Sequence, residues 1–194
     1  MARKIHVDGG KSTRDLIDAK KLIEMLPLKA GDTFLDAGCG DGFISLEAAS
    51  AVGDEGRVIA VDVYTESVEK LRSRIGRGSN ILPLVADITR RIPVPDGTVD
   101  IYFMANVFHG IVVNGEVEPL MAEVKRLLSR SGRLVVVDFK KVAGTPGPHM
   151  DLRLSEDEVI EILEDHAFTV ESVGDAGPYH YLIMAVQGSE NPYQ

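Results

Sequence analysis

The 194-residue chain has one cysteine, Cys39. That count excludes a disulfide framework and fits a reducing cytoplasm. No stretch approaches the roughly 20 apolar residues that a membrane helix needs. The longest candidate, "IYFMANVFHGIVV" at 101–113, is interrupted by Asn106 and His109. Arg3 and Lys4 have no apolar run behind them, so no secretory leader is expected. Internal repeats and low-complexity segments are missing, and no cluster of His, Cys and carboxylates has metal-ligand spacing. Basic charge is scarce as well: 21 Lys and Arg face 30 Asp and Glu, for a formal charge of -9. Such a balance opposes autonomous nucleic-acid binding, which must neutralise phosphates. Local basic groups (Arg72, Arg74 and Arg77; Arg90 and Arg91; Lys140 and Lys141) have no aromatic residues between them and read as solvated surface.

What is present suits one globular domain over 1–194, with 44% hydrophobic and 26% charged residues. A chain of this size buries about 70% of its unfolded surface without staples. Helix-like and strand-like segments alternate. Residues 12–26 show an amphipathic pattern, with Ser12 and Asp15 in capping-box relation and Pro27 as the stop. Strands are predicted near 33–37, 57–62, 81–86, 99–105 and 133–139, with helices over 43–52, 66–76 and 117–129. Ser155 and Glu158 open a further helix. After it, "FTVESVG" and "YHYLIMAVQ" are separated only by "DAGP", too short for a crossover helix, so they must pair as a hairpin. These elements define an α/β fold: a doubly wound, mainly parallel sheet covered by helices on both faces, with an antiparallel strand near its C-terminal edge.

In such sheets ligands settle beyond the carboxyl ends of the strands, where the winding direction switches. Asp36 and the glycines of "FLDAGCGDGF" end the first strand, Asp62 the second and Asp87 the third, and Asn106 follows the fourth. Any one of these could be an ordinary turn former or helix cap; their convergence is the signal. Gly38, Gly40 and Gly42 make G-x-G-x-G, whereas the dinucleotide fingerprint G-x-G-x-x-G would require its third glycine where Phe43 stands. Asp62 lies 20 residues past Gly42, where a carboxylate can accept both hydroxyls of an adenosine ribose.

"FLDAGCGDGFISLEAA", "VIAVDV", "VADI", "DIYFMANVFH" and "LLSRSGRLVVVDF" together resemble the motifs of class I (seven-stranded, Rossmann-like) S-adenosylmethionine-dependent methyltransferases. The similarity runs from about residue 12 to 187, and its style is that of the ubiquinone/menaquinone-biosynthesis and small-molecule branch. The resemblance implies that Gly38 and Gly40, flanked by Asp41 and Phe43, pass close to the methionine moiety of S-adenosylmethionine while Asp36 steadies the loop. It further implies that Asp62 holds the ribose, Val63 packs on the adenine, Asp87 reaches the adenine amino group with Ile88 beside it, and backbone at Asn106 meets the methionine amino group. A cofactor without a pyrophosphate leaves the third glycine free to move.

Methyl transfer is an in-line displacement that positioning alone can accelerate strongly. An acceptor that must lose a proton would benefit from a base, and His109, just after the fourth strand, is the candidate; its structural alternative is a packed loop histidine. His149, Tyr179 and His180 are weaker candidates. "GTPGPHM" at 144–150 could cover the acceptor, and residues 1–30 could form an N-terminal helix and a cap over cofactor or substrate, with Arg14 near the pocket. "NVFH" lacks the N-P-P-Y-type sequence of amino-group methyltransferases in the superfamily, and one cysteine is too few for a soft-metal acceptor site.

The expected function is methyl transfer to a small or medium organic acceptor, with no bound metal and with a homodimer allowed. The alternatives are a noncatalytic cofactor-binding partner subunit, a protein or RNA methyltransferase whose acceptor a partner supplies, and a nicotinamide-dependent oxidoreductase.

Overall fold

The computed structural model describes residues 14–188. Continuous apolar runs become the central parallel strands, buried on both faces, whereas the edge strand at 81–85 leaves Leu82 and Val85 exposed. β1 (Thr33–Ala37), β2 (Arg57–Asp62), β3 (Ile81–Val85), β4 (Val99–Ala105), β5 (Leu128–Phe139), β6 (Phe168–Asp175) and β7 (His180–Gln187) form one sheet in the order β3-β2-β1-β4-β5-β7-β6. The first five strands pair in parallel, and β7 runs antiparallel to both of its neighbours, β5 and β6. The expected hairpin and its place in the sheet are therefore observed.

Helices α1 (Ala19–Glu24), α2 (Phe43–Val52), α3 (Thr65–Arg74), α4 (Phe108–Val113), α5 (Val117–Leu127) and α6 (Glu156–Asp165) fill the connections. Two apolar cores result, one on each side of the sheet. One includes Tyr102, Met104, Phe108, Leu120, Val124, Val136 and Tyr181 beneath α4, α5 and α6. The other joins Phe34, Phe103, Val135 and Val137 to Leu22 and Ile23 of α1 and to Ile44 and Ala48 of α2.

Four local differences from the sequence reading have physical causes. α1 is shorter than 12–26: Asp18, whose carboxylate accepts from the Lys21 N–H at 3.1 Å, is its N-cap, and Ser12 lies outside the described residues. α4 breaks the apolar run at 101–113 that read as strand and loop, so His109 sits in a helix rather than a loop. β5 begins five residues before the predicted position, with a register shift against β4 between Val99 and Ile101. Gly132 permits that irregularity, since a Cβ there would lie 2.7 Å from the Val99 carbonyl oxygen. A 3-10 turn at Met150–Leu152 was not foreseen.

The capping box of α6 is formed as expected: Ser155 N–H donates to the Glu158 carboxylate at 2.6 Å and Glu158 N–H to Ser155 Oγ at 3.3 Å. Among the described residues no helix is long and apolar enough to cross a membrane.

Candidate active site

The strand order β3-β2-β1-β4 sets the carboxyl ends side by side, so Asp87, Asp62, Asp36 and Asn106 follow one another along a single edge of the sheet. The glycine loop between β1 and α2 is fastened to that edge. The N–H groups of Gly38 and Cys39 both donate to the Val61 carbonyl, at 2.8 and 3.0 Å, and Gly40 N–H donates to Asp62 Oδ2 at 2.8 Å. Asp62 Oδ1 accepts from Tyr64 N–H at 2.8 Å. Each carboxylate oxygen has a second acceptor site, so ribose hydroxyls can be added without displacing these amides.

The three loop glycines differ in role. Gly38 and Gly42 are packing positions: a Cβ on either would lie 2.4 Å from Val107 Cγ2 or Leu71 Cδ1 respectively. Gly40, at φ +54°, has nothing within 4 Å of its would-be Cβ. The open space therefore lies over Gly40, beside Asp62, and it suits a ligand that approaches bare backbone. Beyond it, Val63 and Tyr64 are 45% and 36% exposed, an apolar ledge at the end of β2 able to take an adenine face.

Asp36 is buried and accepts from Ser45 Oγ, which joins the end of β1 to α2 rather than to the glycine loop. Burial pushes its carboxyl up to about 7; the Ser45 hydrogen bond opposes the shift and the Asp62 charge adds to it. Asp41 bonds Arg14 Nη2 at 2.8 Å and Arg74 Nη1 at 2.9 Å, both through Oδ2. The Arg14 guanidinium also lies 5.7 Å from the Phe43 ring centroid. Arg14 thus sits on the glycine loop, next to the N-terminal residues expected to cap the site; residues 1–13 of that cap lie outside the described residues.

On the β3 side, Asp87 turns back on its own chain: Oδ1 accepts from Thr89 N–H at 3.0 Å and from Thr89 Oγ1 at 2.7 Å. Ile88 is buried in the core next to this turn.

On the β4 side, Asn106 adopts a left-handed conformation, φ +59°, held by its N–H to the Val137 carbonyl at 2.8 Å. Its side-chain oxygen and nitrogen are both buried without a hydrogen-bond partner. A buried amide with neither group paired costs several kcal/mol by order of magnitude, and strained, unsatisfied polar groups concentrate at ligand sites. A polar, zwitterionic ligand end fits here. Asp36, Asp62 and Asn106 with the loop glycines therefore form one neighbourhood suited to an adenosine at one end and an amino acid at the other.

Sequence reasoning missed Asp138 and Arg153. Asp138, at the end of β5, accepts from His109 Nδ1 at 2.8 and 3.0 Å and from the backbone N–H groups of His109 and Phe139. Its signal was available: an acidic residue ends β5 as others end β1 and β2.

Arg153 is buried, and its guanidinium donates to the carbonyls of Lys140, Val142, Thr145, Pro146 and Pro148. It clamps the Pro/Gly segment after β5 into a fixed shape, and nothing in its sequence context announced that. Of the weaker candidates, His149 is exposed near Asp151, and Tyr179 uses its carbonyl to accept from Lys140 N–H at 2.8 Å. His180 is fully buried with its ring centroid 4.3 Å from that of Phe139 and neither ring nitrogen paired. Burial lowers its pKa to about 4 against the opposing charge of Asp138. Cys39 is buried with its thiol pushed up by desolvation. Among the described residues no His, Cys, Asp and Glu side chains are grouped to hold a metal.

The seven-stranded order with an antiparallel β7 is the class I methyltransferase fold. Residues 34–132 match the methyltransferase domain family. The crystal structure of a SAM-dependent methyltransferase from Aquifex aeolicus superposes with a TM-score of 0.80 at 34% identity, covering 91% of this chain and 93% of that one. The chain belongs to the S-adenosylmethionine-dependent methyltransferases. It is also 30% identical over 125 residues to the ubiquinone/menaquinone biosynthesis C-methyltransferase of Teredinibacter turnerae, covering 63% of this chain and 49% of that protein. It is 32% identical over 120 residues to the arsenite methyltransferase of Halobacterium salinarum, 60% of this chain and 29% of that one. The chain spans about half the length, or less, of the curated relatives it matches.

Proposed function

We propose that the protein, acting as a single domain, transfers the methyl group of S-adenosylmethionine to a small or medium organic acceptor in the cytoplasm. The observation that carries this reading is the open space over Gly40 beside the Asp62 carboxylate, with the unpaired Asn106 amide across β1. When bound, the cofactor supplies an electrophilic methyl on a sulfonium. Asp62 would hold the ribose hydroxyls, Gly38 and Gly40 would line the methionine portion, and Asn106 would meet its amino end. Val63 would support the adenine from the β2 side, with Asp87 and Ile88 at its rim. Asp41 and Phe43 act through the loop, since Arg14 engages both.

His109 is the proposed base for an acceptor that loses a proton. A soft acceptor such as arsenite is disfavoured by the burial of Cys39, the chain's one cysteine. Nucleic acid is disfavoured as an autonomous partner by the net charge of -9.

Calorimetric titration with S-adenosylmethionine and, separately, with NAD tests the cofactor assignment; binding of NAD alone overturns it. Incubating the protein with methyl-labelled cofactor and cell extract, then separating small molecules, protein and RNA, identifies the acceptor class. Label in the small-molecule fraction is expected. Cofactor binding with no transfer to any fraction would favour a noncatalytic partner subunit.

A further inference from the structure

We propose that Asp138 and His109 form a proton-accepting pair, and that the acceptor is therefore protic: a phenolic or enolic hydroxyl, or an acidic C–H. This rests on the methyltransferase reading and narrows it. His109 stands in α4, three residues past Asn106, and Asp138 is the last residue but one of β5, the strand paired with β4. Both are almost fully buried, at 3% and 1% exposure. Nδ1 of His109 lies 2.8 Å from Asp138 Oδ1 and 3.0 Å from Oδ2, while the His109 backbone N–H donates to Oδ2 at 3.1 Å and Phe139 N–H to Oδ1 at 2.8 Å. Two backbone amides thus aim the carboxylate, and the carboxylate aims the ring.

An ionised carboxylate only accepts hydrogen bonds, so Nδ1 must carry the proton of the neutral imidazole. That leaves the Nε2 lone pair, for which the described residues offer no hydrogen-bond partner. His180, the other buried histidine, has both ring nitrogens unpaired, so the carboxylate held against Nδ1 by two backbone amides distinguishes His109 within this chain.

The acceptor's oxygen or carbon forms the new bond to the methyl group, and the electron pair of the broken carbon–sulfur bond stays on sulfur as a neutral thioether. The acceptor's proton passes to Nε2, and the resulting imidazolium is stabilised by Asp138, which stays ionised. A sulfide, or any acceptor that reacts without losing a proton, would leave this pair without work. Asp138 is accordingly a positioning residue and His109 the group that meets the acceptor's proton.

Nitrogen-15 NMR of the histidine-labelled full chain with S-adenosylhomocysteine present tests the pair, the His109 signal being the one missing in His109→Gln. An unprotonated Nε2 is expected. A protonated Nε2 in the wild type, whether as the other tautomer or as an imidazolium, overturns the proposal and needs no variant to be seen. In Asp138→Asn the amide can donate to Nδ1, so the tautomer should reverse while S-adenosylhomocysteine binding, measured by calorimetry, stays within about twofold.

Against model phenols, enols, β-diketones and thioethers, transfer to a hydroxyl or carbon acid should fall about a hundredfold or more in kcat in Asp138→Asn. Undiminished transfer in that variant, or transfer to thioethers alone, overturns the proposal. Failure of the wild type to bind the cofactor product would instead strike the methyltransferase reading itself.

Discussion

Gly40 N–H donates to Asp62 Oδ2 at 2.8 Å, so the residue proposed to hold the ribose also holds the loop over which the cofactor lies. The two functions are coupled through one carboxylate, whose other oxygen accepts from Tyr64 N–H.

Asp62→Ala is therefore expected to do two things. Calorimetry should show S-adenosylmethionine affinity reduced at least about tenfold, equivalent to about 1.4 kcal/mol. Urea unfolding without ligand should show about 1–3 kcal/mol lost, because two partly buried N–H groups lose their acceptor. Unchanged affinity would refute the ribose assignment, and lost affinity at full stability would refute the loop tether.

The glycines separate packing from binding. Gly38→Ala places a methyl 2.4 Å from Val107 Cγ2 at φ +79°, so left-handed strain and overpacking together should cost at least about 2 kcal/mol of stability. Gly40→Ala meets no neighbour and carries only the strain, about 1 kcal/mol, yet its methyl enters the space assigned to the cofactor. Parallel unfolding and calorimetry on the two variants should show the larger stability loss in the first and a loss of affinity out of proportion to stability in the second.

Arg153→Met keeps the buried stem and removes every donor. The carbonyls of Lys140, Val142, Thr145, Pro146 and Pro148 then lose their common partner, with an expected cost of about 2 kcal/mol or more. Limited proteolysis should shift to new cuts within 141–149. An unchanged cleavage pattern would show that the segment holds its shape without the clamp.

The strands were legible because buried parallel strands carry short continuous apolar runs: β1, β2 and β4 are built around Phe34–Leu35, Val58–Val61 and Ile101–Met104. α4 was illegible because Phe108, Ile111 and the valines beside them continue that same apolar run, and periodicity cannot separate a short buried helix from a strand end. In the site, the glycines, Asp62 and Asn106 stood out as strand-end polar residues. The partners that complete it did not. Asp138 reads as one more strand-end acid until the backbone of α4 brings His109 against it, and Arg153 acts on carbonyls, which leave no trace in sequence. The orphaned Asn106 amide and the tether from Gly40 to Asp62 likewise exist only once four strand ends are assembled.

The last expectation concerns pH, where two buried groups pull in opposite directions. Asp36, raised from 3.8 to about 7 by burial, keeps its proton in the folded protein while the unfolded chain has released it. Between about pH 4 and 7 this makes stability fall as pH rises, by at most about 1.4 kcal/mol per pH unit. His180, lowered from 6.5 to about 4 by burial, is neutral when folded and charged when unfolded across about pH 4 to 6.5. There its contribution makes stability rise with pH by a similar slope. The wild-type profile should thus be flatter over that range than either single variant. Asp36→Asn removes the first slope and should leave a protein that loses stability more steeply on acidification; His180→Phe removes the second and should leave one that gains stability on acidification down to about pH 4. Urea unfolding at a series of pH values on the three proteins checks this, and parallel profiles for wild type and Asp36→Asn would show that Asp36 ionises normally despite its burial.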